Sequence, residues 1–264
     1  MANLTPLFSG SGGNSAYIGG TGGGILIDAG VSARRLCAAL CGIGVDPRRV
    51  GAVFVTHEHI DHIAGLRVFC EKHHVPVFAT QGTLRALERQ GALTAGMRVS
   101  PIPFEGIPFE GIPSGGVEAG GLLVRSFRTS HDAAEPCGFT CEAESGETFA
   151  VATDTGFLTD ETREALAGCD TIMLESNHEV TMLQNGPYPY FLKRRILSDL
   201  GHLSNAACAD FLPRLLRGGA GRFYLAHLSR ENNTPEVACA CARAAFDSAG
   251  ARAGIDYELK VCAP

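Results

Sequence analysis

The sequence predicts an α/β fold, a four-layer α/β/β/α sandwich, on three observations. Short apolar runs such as Gly51-Ala52-Val53-Phe54-Val55 read as buried strands, helical spacing recurs between them, and two runs of strands are each accompanied by helices. A chain of 264 residues can bury one large core, so a single domain over residues 1–264 is expected. Its 45% hydrophobic and 19% charged content is that of a globular protein, and no apolar run reaches the roughly 18 residues of a membrane span.

Taken in order, Leu4 to Asp28 alternates apolar segments (Ala16-Tyr17-Ile18, Ile25-Leu26-Ile27) with glycine clusters, the punctuation of hairpins. A phosphate-cradling loop is disfavoured because no helix follows these glycines. Ser32 then caps a helix with Leu36, Leu40 and Ile43 at helical spacing, ended by Gly42 and Gly44. A strand at Gly51 to Val55, a helix from about His62 to His73 and a strand at Val75 to Ala79 follow. Phe104 to Pro113 holds a tandem Phe-Glu-Gly-Ile-Pro unit, too short for a solenoid and read as a lengthened surface loop. Strands resume at Leu122 to Phe127, Phe139 to Glu142, Thr148 to Val151 and Thr171 to Leu174, with a helix near Asp160 to Ala167. Helices are then expected at Tyr190 to Leu197, at Asn205 to Leu216 behind the cap Ser204, and at Thr234 to Ala249, where Thr234-Pro235 supplies cap and first turn; a strand at Arg222 to Ala226 precedes the last.

The chemistry concentrates after the strand that ends at Val55, in Thr56-His57-Glu58-His59-Ile60-Asp61-His62. Side chains two apart on extended backbone point the same way, so this H-x-H-x-D-H register aims His57, His59 and Asp61 at one spot, with His62 opening the next element. Imidazole suits zinc and similar divalent ions, and a carboxylate that can face a second ion suits a two-metal centre. The alternative is a histidine-rich turn satisfied by hydrogen bonds. Further candidates each end a strand: His131 after Val124 to Phe127, Asp154 after Ala150 to Thr153, and His227 after Phe223 to Ala226. Each alone reads as a polar loop residue; recurrence at strand ends is hard to explain by packing.

The order H-x-H-x-D-H, His, Asp, late His resembles the metallo-β-lactamase superfamily across nearly the whole chain. Phe8-Ser9-Gly10-Ser11-Gly12-Gly13-Asn14-Ser15, Thr129-Ser130-His131-Asp132, Thr153-Asp154-Thr155-Gly156, Glu175-Ser176-Asn177-His178, Gly201-His202-Leu203-Ser204-Asn205 and Ala226-His227-Leu228-Ser229 resemble, more narrowly, its YycJ/WalJ branch of bacterial cytoplasmic DNA exonucleases. The resemblance implies two divalent metal ions, zinc or manganese with iron compatible. His57, His59 and His131 would hold one, Asp61, His62 and His227 the other, and Asp154 both. Ions about 3.5 to 4 Å apart that share a water bring its pKa near neutrality and neutralise a bound phosphate, so hydroxide can attack phosphorus. Gly201-His202-Leu203-Ser204 is similar to the Gly-His-Ser segment of ribonuclease Z, which implies that His202, oriented by Glu175, protonates the leaving oxygen. Asp61, His202 and Glu175 form the expected catalytic set, although a capping or surface role for His202 stays open. His178 is read as structural or substrate-side, and His73 and His74 as surface residues. Lys193-Arg194-Arg195, between two site segments, is a candidate grip on a phosphate backbone and otherwise a solvated face. The interval from Asp154 to His227 is too short for a β-CASP insertion.

The implied function is a two-metal phosphodiesterase, a DNA exonuclease of 5′-to-3′ polarity. Its rivals are a small-molecule cyclic phosphodiesterase, an acyl hydrolase of lactonase or thioesterase type, and a non-enzymatic regulator, which would have let the ligand set decay. DNA or another phosphodiester is the expected partner, with no membrane, and the oligomeric state stays open. A net charge of −6 argues against a globally basic nucleic-acid surface. Ten scattered cysteines without a C-x-x-C pair, behind a start that lacks export features, point to the reducing cytoplasm.

Overall fold

A computed structural model describes residues 2–104 and 115–262, so the tandem repeat beyond Phe104 lies outside the described residues. The chain forms two compact units. The first takes residues 1–8, 12–128 and 133–147, the second residues 9–11, 129–132 and 148–264.

In the first unit, β1 (Asn3–Phe8), β2 (Ser15–Gly20), β3 (Gly23–Ile27), α1 (Ala33–Gly42), β4 (Val50–Phe54), α2 (Ile60–Ile63), α3 (Leu66–His73), β5 (Val77–Ala79), α4 (Gln81–Arg89) and β6 (Val99–Pro101) build a six-stranded sheet in sequence order with its crossover helices. The pairs β1–β2 and β2–β3 are antiparallel; from β3 to β6 the strands are parallel. Parallel strands need crossovers, and a helix covering the sheet buries both strand faces, which is why β3 and β4 are nearly continuous apolar runs. Leu36, Leu40, Leu66, Phe69, Leu84 and Leu87 from the helices are buried against Leu26, Val53 and Val77, each such side chain contributing roughly 1.5–3 kcal/mol of transfer free energy. A three-stranded antiparallel group follows: β7 (Val117–Ala119), β8 (Leu122–Arg128) and β9 (Cys137–Ala143). Phe139 of β9 meets Phe54 edge-on at 5.6 Å between ring centroids, and the Cys137 amide donates to the Thr56 carbonyl.

In the second unit, β10 (Thr148–Ala152), α5 (Asp160–Leu166), β11 (Thr171–Glu175), α6 (Val180–Asn185), α7 (Tyr190–Ile196), α8 (Asn205–Arg217), β12 (Arg222–Ala226), α9 (Pro235–Ser248) and β13 (Glu258–Val261) follow in turn. The strands β10 to β13 pair in sequence order, all parallel. Phe246 of α9 packs between Phe223 and Tyr257. Ser204 and Thr234 cap α8 and α9 as the sequence predicts.

The helix read as His62 to His73 is two helices, α2 and α3, meeting at Gly65. The helices α4 and α6 and the strands β6, β7 and β13 were not expected: α4 is a nine-residue helix capped by Thr80, β6 and β7 are three residues each, and β13 alternates charged and apolar residues at a sheet edge.

Gly30 packs without clearance against the backbone of Asn14 and Asp61. A Cβ there would lie 1.7 Å from the Asp61 carbonyl oxygen and 2.5 Å from the Asn14 amide nitrogen, because the Gly30 amide donates to Asn14 O and the Asn14 amide to Asp61 O. Gly30→Ala is therefore expected to destabilise the chain by about 2 kcal/mol or more, as forced overpacking does, read as a lower urea midpoint; an unchanged midpoint would show that the loop tolerates displacement.

Candidate metal centre

Most of the site residues stand where parallel strands end, the usual position for ligands in α/β sheets, while His131 follows the antiparallel β8. In the first unit, β4 runs out at Phe54 and delivers Thr56, His57 and His59, while α2 carries Asp61 and His62. His57 Nε2 and His59 Nδ1 face each other at 3.0 Å, close to the about 3.3 Å that two nitrogens on one tetrahedral zinc would span with bonds of about 2.0–2.1 Å. The His57 and His62 rings lie 4.1 Å apart.

Asp28, which the sequence reading passed over as hairpin punctuation, organises this half. It follows directly on β3, is buried, and adopts a left-handed backbone, φ 62°, a conformation that costs a non-glycine residue on the order of 1–2 kcal/mol. Its Oδ1 accepts the Thr56 amide at 2.8 Å, and its Oδ2 accepts the Thr56 hydroxyl at 2.9 Å and His62 Nδ1–H at 2.7 Å. With its proton committed to Asp28, the Thr56 hydroxyl can accept from His57 Nδ1–H at 3.0 Å. One carboxylate thus sets both imidazoles with Nδ1 protonated and the lone pair on Nε2, the tautomer a metal ligand needs. Burial pushes the Asp28 carboxyl up, against the opposing pull of His62 and Thr56. Asn14 Nδ2 touches both Asp61 Oδ2, at 3.2 Å, and His62 Nε2, at 3.0 Å.

The second unit repeats the device. Glu175, the last residue of β11, is fully buried. Its Oε1 accepts from His202 Nδ1 at 2.8 Å and His227 Nδ1 at 2.9 Å, and its Oε2 from the amides of Thr155 at 2.8 Å and Leu203 at 3.2 Å. Burial alone would raise the carboxyl, but His202 and His227 override it and hold it down at about 2. His131 uses a carbonyl instead, its Nδ1–H donating to Gly201 O at 3.0 Å, and burial lowers its pKa. Asp154 Oδ1 lies 3.5 Å from His227 Nε2 and 3.9 Å from His131 Nε2. Asp154 and His227 both hold left-handed backbones, φ 56° and 55°. Strain concentrated on ion-binding candidates at strand ends is the kind that functional geometry sustains. Asp154, Glu175, His202 and His227 each offer a ligand atom within 4.8 Å of the others.

Each half fits a divalent ion by its donor chemistry: imidazole nitrogens, Nε2 of His57, His62, His131 and His227 fixed from behind and Nδ1 of His59 facing His57 Nε2, beside carboxylate oxygens. The sequence-predicted residues His57, His59, Asp61 and His62 come together in the first unit, and His131, Asp154, Glu175, His202 and His227 in the second. Other residues missed by sequence reasoning are Ser9, whose hydroxyl accepts the His227 amide at 2.7 Å, and Asn177, which donates to the His227 carbonyl at 2.8 Å; both sit in motif segments already singled out.

Gly201 permits the His202 turn, because a Cβ would lie 2.2 Å from the Ile196 carbonyl oxygen that accepts the His202 amide. His178 is buried, has no ring hydrogen bond within the described residues, and burial takes its pKa down to about 4, which fits the structural reading. The basic cluster on α7 is engaged internally: Arg195 grips the Asp132 carboxylate in bidentate fashion, Lys193 Nζ donates to the Gln184 carbonyl, and the Arg194 guanidinium stands 5.9 Å from the Tyr190 ring centroid.

Removing the Asp28 charge without changing its shape tests the first half. Asp28→Asn is expected to weaken zinc binding about 10- to 100-fold, the usual effect of losing the group behind a ligating histidine, in competition with a chromophoric chelator; unchanged affinity would show that His62 needs no such orientation.

A family profile described as "Beta-lactamase superfamily domain" matches residues 24–228. The chain is 35% identical over 257 residues to a protein named exodeoxyribonuclease YycJ from Bacillus anthracis, covering 97% of this chain and 94% of the relative. It is 34% identical over 258 residues to exodeoxyribonuclease WalJ from Streptococcus pneumoniae, covering 98% and 93%. Human tRNase Z, short form, superposes with a TM-score of 0.63 at 16% identity, covering all of this chain and 96% of that one, a likeness of fold. The expected α/β class is met, and no helix among the described residues is long and apolar enough to cross a membrane. With metal-compatible donors at its strand ends and a family match over most of its length, the chain belongs to the β-lactamase superfamily, in the YycJ/WalJ branch, and is a divalent-metal-dependent hydrolase with the metallo-β-lactamase fold.

Proposed function

We propose that the chain is a two-metal phosphodiesterase that degrades DNA as an exonuclease, with 5′-to-3′ polarity, in the cytoplasm. The observation that carries this reading is the Glu175–His202 pair. A fully buried carboxylate fixes His202 Nδ1 at 2.8 Å, while the His202 side chain keeps 17% exposure and lies 3.9 Å from Asp154 Oδ1. A placed acid matters most when the leaving group is a poor one, such as the alkoxide of a nucleotide chain, and less for the thiolate of a thioester. The exodeoxyribonuclease names of the two bacterial relatives support DNA as the substrate. Ten free cysteines, most of them buried, suit a reducing compartment.

In this reading His57, His59 and His131 would hold one ion and Asp61, His62 and His227 the second, with Asp154 available to both. Zinc or manganese suits these donors, and iron is compatible. Bound there, the ions supply Lewis acidity toward the phosphoryl group and acidify water to near neutrality. Asp28, directly or through Thr56, Glu175 and the Gly201 carbonyl keep Nε2 of His62, His57, His227 and His131 turned outward. His202, its ring fixed through Nδ1 by Glu175, would pass a proton from Nε2 to the leaving oxygen.

End-labelled single- and double-stranded DNA incubated with Mn(II) or Zn(II) is expected to be shortened from the 5′ end and spared by chelator. DNA left intact under every metal, with efficient cleavage of a lactone or thioester, would overturn the reading. His202→Ala should retain metal and lose about a hundredfold or more on DNA, yet recover much of that on bis(p-nitrophenyl) phosphate, whose leaving group needs no proton. His227→Ala should lose metal and fail on both. Equal defects of His202→Ala on both substrates would remove the general-acid role.

A further inference from the structure

The helix α7 opens on two large aromatic side chains that stay in solvent. Of its seven residues only Ile196 is buried, while Tyr190 and Phe191 are 75% and 73% exposed. Adjacent exposed rings gain nothing for the fold, and a solvent-facing aromatic pair marks a surface that meets something else. After Leu192 come three cations, Lys193, Arg194 and Arg195, in a chain of net charge −6, and Arg194 stands 5.9 Å from the Tyr190 ring centroid. Aromatic faces interleaved with cations are what single-stranded nucleic acid requires: rings stack on bases whatever their identity, and cations track the phosphates.

The helix is also tied to the chemistry. Its last residue accepts the His202 amide through the Ile196 carbonyl at 3.0 Å, and Arg195 holds Asp132, the neighbour of His131. From Tyr190 to Ile196 the helix rises about 9 Å at 1.5 Å per residue, the span of two to three stacked bases at about 3.4 Å each. We infer that Tyr190 and Phe191 form a base-stacking platform for the single strand, on the helix whose last carbonyl holds the His202 amide, with Arg194 beside it to meet the phosphate. This rests on the nuclease reading and adds to it how the strand is gripped: by base faces, without preference for sequence. It also revises the part of the basic cluster, since Lys193 and Arg195 already serve internal contacts and the apolar rings become the main grip.

The test compares an oligo(dT) 12-mer with an abasic deoxyribose-phosphate chain of equal length and charge, by fluorescence anisotropy on the full chain. Wild type should bind the oligonucleotide at least tenfold more tightly than the abasic chain. Tyr190→Ser with Phe191→Ser should bring that ratio close to one and leave the slope of log Kd against log salt unchanged, since no phosphate contact is removed. Tyr190→Trp with Phe191→Trp should keep the ratio. Equal wild-type binding of both probes, or a ratio that survives the double serine variant, overturns the platform. So does a change only in mass by light scattering, which would assign the patch to contact between copies. The nuclease reading is judged separately: if wild type degrades DNA but shows no base preference over the abasic chain, the platform fails and the nuclease stands, whereas if wild type degrades no DNA the nuclease reading fails.

Discussion

A single buried carboxylate, Glu175, is the constraint on which the second half of the site depends. It accepts four hydrogen bonds, from His202, His227 and the amides of Thr155 and Leu203. Burying a charge is costly unless it is fully satisfied, and a carboxylate with several donors is held ionised at low pKa. The same four contacts fix the segments that carry Asp154, His202 and His227, so the stability of the charge and the aim of the side chains have one cause. Removing it would leave two imidazoles without orientation at once.

Asp28 does the corresponding work in the first unit, for His62 directly and for His57 through Thr56. Both carboxylates stand at the ends of buried parallel strands, where backbone hydrogen bonding stops and a side chain can turn toward the ligand face. The left-handed backbones of Asp28, Asp154 and His227 are the conformational cost of making that turn within one or two residues. A tight turn keeps the donors on the rigid ends of strands, which positions them more sharply than a loop would.

Much of this was legible in sequence because it is local. The H-x-H-x-D-H register, the strand-end His131, Asp154 and His227, and the caps Ser32, Ser204 and Thr234 are each read from a few adjacent residues. Asp28 carried the same strand-end signal, after Ile25-Leu26-Ile27, and was missed because the surrounding glycines read as turns. What joins Glu175 to its partners spans 27 and 52 residues, a separation that periodicity does not register, and its pairing with His202 came from resemblance alone. The helix α4 carried a readable signal, the cap Thr80 before Leu84 and Leu87 on one face, and was passed over, whereas β13 is half charged and short and gave little pattern. For Lys193 to Arg195 the charge was visible, but not that Arg195 pairs with Asp132, nor that the flanking aromatic rings stay in solvent.

The central claim is that the oriented donors serve two ions rather than one. Equilibrium dialysis of the wild-type chain against Zn(II) or Mn(II), followed by elemental analysis against protein concentration, tests it most directly. Two ions per chain at saturation is the predicted result; a plateau at one, with all the ligand residues present, would contradict it.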